Sequence, residues 1–409
     1  MLSGNGEARY SKCESVSSFL SHFYKKNTDK HTVNRSKSGL AKASASVYNA
    51  RVTAPKHPPM CNFNDRPFIL FWEVTRACAL ACRHCRAIAQ PQAHPQELNH
   101  DEALALVDTI AELAPPMLVL TGGDPMMRRD IFEIIERASA KGLRVALSPA
   151  ATHRLINTDF HQLRAAGVVS MSLSLDGATQ ETHDAFRRVP HTFERTLQAA
   201  RLAKDAGIQL QINTTISRTT LPELEGFVEL LKQIEPDVWS VFLLVPTGRA
   251  TMEELPTADE LETLWQRLLE LREELPFAIK TTEGHHYRRA MMQAARTNGA
   301  PAPRHMIHTR DGKGVVFISH VGEIQPSGFL PITAGNVRTD NLADIYRNHP
   351  LFVQLRNDDA LDGKCGKCEY RHICGGSRAR AYGSTGDMMA AEPLCNYIPA
   401  VLRGTSTQS

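Results

Sequence analysis

Several common signals are missing from this chain of 409 residues, and each absence narrows the reading. No uninterrupted apolar run approaches the roughly 20 residues that span a bilayer, and mean hydropathy is −0.29, so no membrane association is expected. Neither sign of charge dominates: the net is +3, and even that belongs to one end. Residues 1–59 hold ten Lys and Arg against three Asp and Glu, a net of +7, which leaves 37 basic and 41 acidic side chains, a net of −4, for the other 350 residues. A mildly acidic body gives no reason to invoke nucleic acid. A secretory signal is lacking too, so the tight clustering of seven of the nine cysteines reads as metal ligands rather than disulfides. Finally, no Gly-x-Gly-x-x-Gly follows the first β-rich run, which argues against a dinucleotide-binding sheet.

What is present falls into three stretches: 1–59, 60–280 and 281–409. The first has ten serines and no sustained apolar period, and such a segment cannot bury enough surface to offset its ordering entropy. It reads as an organelle transit peptide, a tail for a partner, or sequence upstream of a start at Met60, the last being favoured because the folded pattern begins just after it. Cys13 and Cys61 have no spaced partners and read as bystanders.

From Phe68 onward, apolar β-rich runs alternate with helical periods. Strands are expected at Phe68–Val74, Met117–Thr121, Leu143–Ser148, Val168–Leu175, Ile208–Ile216 and Val238–Val245. Helices are expected near Asp101–Leu113, Asp130–Lys141, Asp159–Ala166, Thr192–Ala206 and Leu221–Ile234. A period of about 30 residues is that of a βαβ unit, so the class is α/β with a parallel sheet. In such sheets ligands sit at the carboxyl ends of the strands, which makes the residues just past each strand the functional suspects.

The first of those ends carries Cys78-x3-Cys82-x2-Cys85. Three thiolates from one short loop can bind three irons of a cubane and leave the fourth open to an exchangeable ligand. A zinc site is the competing reading, but zinc normally takes four protein ligands in paired spacings, and His84 beside Cys85 would point elsewhere in a tight loop. After the second strand comes Gly122-Gly123-Asp124-Pro125, two glycines that permit close backbone approach plus a carboxylate suited to an ammonium group. The fourth strand ends in Ser172-Leu-Ser174-Leu-Asp176, with Ser174 and Asp176 on one face, and the fifth offers Asn213. Far downstream lies Cys365-x2-Cys368-x5-Cys374-x20-Cys395, four soft ligands that close a site as zinc or as a 4Fe-4S cluster. Between the two groups, Glu283, His285, His286, Arg288 and Arg289 concentrate ionisable side chains, followed by His305, His308 and a turn into a strand at 311–320. The two arginines suit substrate carboxylates and the histidines suit iron or proton transfer.

Cys78, Cys82 and Cys85, in this spacing and place, resemble the signature of the radical S-adenosylmethionine (SAM) superfamily. The resemblance implies a partial (β/α)6 barrel whose 4Fe-4S cluster reduces SAM to methionine and a 5′-deoxyadenosyl radical. It implies SAM contacts from Gly122, Gly123, Asp124, Pro125, Ser174, Asp176 and Asn213, and from His84, where an aromatic residue is usual and imidazole can stack near adenine. Cys365, Cys368, Cys374 and Cys395 resemble the C-terminal half of the SPASM/twitch extension, a small α+β domain with auxiliary iron-sulfur clusters. The fuller pattern has further cysteines where this chain has Ser327 and Ser377, so one auxiliary cluster is expected, two clusters in all.

The segments 72–86 and 364–395 are most similar to radical SAM enzymes of alternative haem and haem d1 biosynthesis. That similarity implies oxidative decarboxylation of coproporphyrin propionates, with His285, His286, Arg288 and Arg289 as substrate candidates. It also implies ferredoxin or flavodoxin as reductant and a cytoplasmic, reducing setting. The other readings are a maturase of a ribosomal peptide, a sugar- or antibiotic-tailoring dehydrogenase or epimerase, and a zinc-binding interaction protein.

Overall fold

Seven strands follow one another in parallel, each reached through a helical crossover, as the thirty-residue period requires. The computed structural model describes residues 62–299 and 307–403; the readings placed on residues 1–59, Met60, Cys13, Cys61 and His305 lie outside them. The order is β1 (Ile69–Glu73), α1 (His100–Leu113), β2 (Met117–Thr121), α2 (Ile131–Ala140), β3 (Val145–Leu147), α3 (His153–Ile156), α4 (Phe160–Ala166) and β4 (Val168–Ser174). Then come α5 (Gln180–Arg187), α6 (Thr192–Asp205), β5 (Gln209–Ile216), α7 (Leu224–Ile234), β6 (Val238–Leu243), α8 (Ala258–Glu274), β7 (Ala278–Thr282) and α9 (His286–Thr297). The chain finishes with β8 (Val315–Ile318), β9 (Glu323–Gln325), β10 (Gly335–Asn336), α10 (Leu342–Asn348), α11 (Pro350–Arg356), α12 (Gly363–Gly366) and α13 (Arg378–Thr385).

All ten strands belong to one sheet in the order β10-β9-β8-β1-β2-β3-β4-β5-β6-β7. The expected α/β class and partial barrel are present, and the sheet is larger than six strands. β7 adds a seventh parallel strand at one edge, and β8 pairs in parallel with the outer side of β1, so the chain beyond residue 280 extends the barrel sheet. The boundary drawn at 280 falls inside β7.

Local chemistry explains the elements. Asn99 and Glu102 form a reciprocal capping box at the start of α1, and Ala103, Leu106, Val107, Ile110 and Leu113 put a buried stripe on the sheet at 3.6-residue spacing. Thr257 and Glu260 start α8 in the same way. The inner strand faces differ from the outer ones. In β4, Met171 and Leu173 are buried under the helices while Ser170, Ser172 and Ser174 face the lumen, so alternation marks the inside of the barrel. No helix among the described residues is long and apolar enough to cross a membrane.

Candidate active site

The loop after β1 carries the first three cysteines, and its path is set by backbone contacts with the loop after β2. Gly123 N–H donates to Thr75 O and Asp124 N–H to Ala77 O, both at 2.8 Å. A Cβ on Gly122 would stand 2.5 Å from Thr75 O, and one on Gly123 2.5 Å from the carbonyl oxygens of both Arg76 and Ala77. The Gly-Gly pair is therefore what lets the two loops lie against each other. The far side of the cysteine loop is held by Arg249, after β6, which donates to Cys82 O at 3.0 Å and Ala89 O at 2.8 Å. Cys78 N–H donates to Gln90 O at 2.7 Å and closes the loop on itself.

Cys78, Cys82 and Cys85 gather in one small apolar cluster with Leu80, Ala89, Ala150 and Val189. Burial pushes the Cys78 thiol up to about 12, a shift that a bound metal cation would offset. Among the described residues no group of three His, Cys, Asp or Glu side chains is arranged to hold a single metal ion, and all seven described cysteines are free thiols. The donor set fits a cubane with one open iron better than zinc.

The other expected SAM contacts lie on or just above the inner face. Ser174 and Asn213 are Cα partners in the β4–β5 register, and Gln211 Nε2 donates to Asn213 Oδ1 at 2.6 Å. The Asp124 carboxylate is turned inward, accepting from Met126 N–H at 3.1 Å, Thr152 Oγ1 at 3.1 Å and Ala150 N–H at 3.3 Å, and it caps the turn that begins at Pro125. Burial pushes Asp124 up to about 6 against those hydrogen bonds. Asp176 is buried and engaged by Arg187 and by Thr215 N–H at 2.7 Å. Burial alone would raise Asp176, but Arg187 holds it below its ordinary value. Arg187 also reaches Cys82 Sγ at 3.5 Å, which couples the end of β4 to the cysteine loop. The His84 ring stacks on Phe186 with centroids 4.6 Å apart.

A second cavity is lined by Cys365, Cys368, Cys374 and Cys395 together with His286, Arg289, Lys364, Glu392 and Tyr397. Gly375 and Gly376, at φ +66° and +63°, complete its wall, and a Cβ on Gly376 would lie 2.7 Å from Glu392 Cβ. Arg380 and Glu392 tie this region to the barrel. Arg380 Nε donates to Glu392 Oε1 at 2.8 Å, and its terminal nitrogens donate to Leu244 O at 3.0 Å and Glu283 O at 2.6 Å, just past β6 and β7. Burial would raise Glu392, but Arg380 and His286 bring it down to about 2. Ser377 is buried, caps α13 and bonds Glu283. Ser327 bonds Asp311, whose other oxygen accepts from Arg378 and Ala379 N–H at 3.1 Å. Both serines thus have hydrogen-bonding duties of their own.

The four substrate candidates on and before α9 face inward. Arg288 donates to Thr309 O at 2.7 Å and Ile373 O at 3.5 Å. Arg289 pairs with Glu262, donates to Gln293 Oε1 at 2.7 Å and lies over the Tyr397 ring at 4.9 Å. Both ring nitrogens of His285 and of His286 are buried without a hydrogen-bond partner, and burial keeps both imidazoles neutral at pH 7. His308 Nδ1 lies 3.2 Å from Ile373 O.

Three features of the site escaped the sequence reading. Glu73, at the end of β1, is buried and meets Arg86 at 2.9 Å, Arg76 at 3.4 Å and His320 Nδ1 at 2.8 Å, while Arg86 stacks over Phe317. Arg187 and Arg249 hold the cysteine loop from α5 and from beyond β6. Lys280 lies on the inner face of β7. The acidic residue ending an apolar strand was the available signal for Glu73; nothing local marks the others.

Comparison with known proteins gives the same reading. Residues 72–233 match the radical SAM superfamily. Over 340 residues the chain is 42% identical to an AdoMet-dependent heme synthase of Oleidesulfovibrio alaskensis, covering 81% of this chain and 87% of that one. It is 38% identical over 348 residues to one from Methanosarcina barkeri, covering 83% and 99%. Streptococcus suis SuiB bound to S-adenosylmethionine has the same fold, with TM-score 0.63 at 16% identity over 81% of this chain and 78% of that one. A loop of three gathered thiols on a parallel barrel, and relatives this similar along most of their length, lead to one conclusion: the chain belongs to the radical SAM superfamily, enzymes in which a 4Fe-4S cluster and SAM together generate a 5′-deoxyadenosyl radical.

Proposed function

We propose that this enzyme oxidatively decarboxylates propionate side chains of iron-coproporphyrin to vinyl groups, forming a haem. The observation that carries the reading is the similarity to AdoMet-dependent heme synthases along four-fifths of the chain. Cys78, Cys82 and Cys85 would hold the SAM-binding cluster, which when bound supplies the radical. Gly122, Gly123 and Arg249 keep that loop in register with the strand ends, and Ser174 and Asn213 line the face across which SAM would lie. Abstraction of a hydrogen atom from the propionate β-carbon, then loss of CO2 and one electron, leaves the new carbon–carbon double bond.

Cys365, Cys368, Cys374 and Cys395 would hold a second 4Fe-4S cluster as acceptor of that electron. Its support is that the four thiols border one cavity. Residues 281–409 would then serve as the auxiliary module, with a ferredoxin or flavodoxin as reductant in a reducing, cytoplasmic setting. The test is turnover of anaerobically reconstituted enzyme with SAM, a reductant and iron-coproporphyrin III. Vinyl-bearing product formed with 5′-deoxyadenosine is expected; deoxyadenosine with no vinyl product would overturn the substrate.

A further inference from the structure

The inner face of the barrel carries a lysine that no protein group answers. Phe277, just before β7, and Ile279 within it are buried in the core beneath the helices, so Ala278, Lys280 and Thr282 take the opposite, lumenal face. Two facts fix the height of Lys280. Its Cα partner across the β6–β7 pair is Ser240, and Ser240 Oγ lies 3.3 Å from Thr282 Oγ1 on that same face. Ser240 is the Cα partner of Asn213, and Asn213 of Ser174. Ser174, Asn213, Ser240 and Lys280 therefore form one inner layer, at the level already assigned to SAM.

Three members of that layer are neutral. The cations nearest the cysteine loop are all engaged: Arg86 by Glu73, Arg187 by Asp176, and Arg249 by the carbonyls of Cys82 and Ala89. Lys280 has no hydrogen bond or ion pair among the described residues. Its side chain is exposed to the open space of the lumen, and the protein wall around that space lowers the ammonium to about 8. An unpaired ammonium exposed at this level of the lumen is free to meet an anion that enters from outside the chain.

We propose that Lys280 is the receptor for a substrate carboxylate inside the barrel, a specificity-determining residue that binds one propionate of the tetrapyrrole. This rests on the function proposed above. It also relocates anion recognition from Arg288 and Arg289, whose terminal nitrogens donate to Thr309 O, Ile373 O, Glu262 and Gln293.

The test is a visible-absorbance titration of reconstituted holoenzyme with iron-coproporphyrin III and with its tetramethyl ester, which has no free carboxylate. Wild type should bind the acid more tightly than the ester. Lys280→Met should weaken the acid by about 10- to 100-fold, the range of a charged hydrogen bond, and remove the preference over the ester. Lys280→Arg should stay within a few-fold of wild type. Iron content verifies each variant, and Lys280→Gln replaces the methionine variant if that one loses its clusters. Binding of the acid unchanged in Lys280→Met overturns the role of Lys280 alone. Equal weakening of SAM binding would place Lys280 on the methionyl carboxylate and also overturn it. Wild type that binds neither porphyrin overturns the tetrapyrrole reading, and this inference with it.

Discussion

Replacing Gly123 by alanine should remove the catalytic cluster while leaving the fold standing. The new Cβ would sit 2.5 Å from two carbonyl oxygens, those of Arg76 and Ala77, whereas ordinary contact begins at 3.4 Å. Neither oxygen is the free end of a flexible side chain, so the cysteine loop itself must withdraw by about 1 Å. That movement breaks the two 2.8 Å hydrogen bonds from Gly123 and Asp124, a loss of about 1 kcal/mol each, with about 1–3 kcal/mol more for the overpacking. The sum, about 3–5 kcal/mol, stays within the roughly 5–15 kcal/mol that hold a native protein folded, but a shift of about 1 Å is large for three thiols that must meet one cubane. Anaerobically reconstituted Gly123→Ala should lose about four irons per chain and all SAM cleavage, with circular dichroism unchanged. Gly142→Ala is the control: at φ +81° it is strained, but its Cβ would meet nothing within 4 Å, so it should lose about 1 kcal/mol of stability and no iron. A Gly123→Ala protein with full iron and wild-type 5′-deoxyadenosine production would refute the claim that the Gly-Gly pair sets the cysteine loop.

Three further outcomes follow from the same structure. Serine at Cys374 or Cys395 should lower iron from about eight to about four per chain and reduce the 400 nm absorbance by about half, whereas bound zinc and unchanged iron would remove the second cluster from the proposed function. Arg380→Met leaves the Glu392 carboxylate buried without its partner and removes the donors to Leu244 O and Glu283 O; it should destabilise the protein by about 3–5 kcal/mol in chemical unfolding, and a loss under 1 kcal/mol would contradict the tie described here. Burial would raise Glu73, but Arg86, the His320 hydrogen bond and Arg76 lower it from 4.5 to about 2. Its contribution, roughly 3 kcal/mol, is therefore full above about pH 4.5 and vanishes as pH falls toward 2. Wild type should exceed Glu73→Gln in stability at neutral pH, and the two should converge on acidification; a gap independent of pH would refute the assignment.

How much of this was legible without coordinates depended on whether the information was local in the chain. The six βα units, the class and the cysteine spacings are local patterns, and the first five expected helices lie within a few residues of α1, α2, α4, α6 and α7. What escaped depends on pairing between distant segments. β7 is five residues long with a lysine at its centre, directly after the long, charged α8, so it reads as the frayed end of a helix; only its register with β6 makes it a strand and turns Lys280 inward. Likewise, β8 appears in the sequence as a strand after a turn, but nothing within 311–320 tells that it will add to the outer side of β1 and bring His320 to Glu73.

The density of charge in 283–289 pointed toward a substrate site, yet density alone cannot distinguish a cation that awaits a ligand from one that is already satisfied. The terminal nitrogens of Arg288, Arg289 and Arg380 are engaged by carbonyls and carboxylates from segments 21 to 136 residues away, and in a buried location that engagement is what permits the charge at all. The informative cation is the one whose surroundings leave it unanswered. In this molecule that criterion selects a lysine in an otherwise neutral layer over two arginines in a crowded one, and it does so from the pairing of β5, β6 and β7.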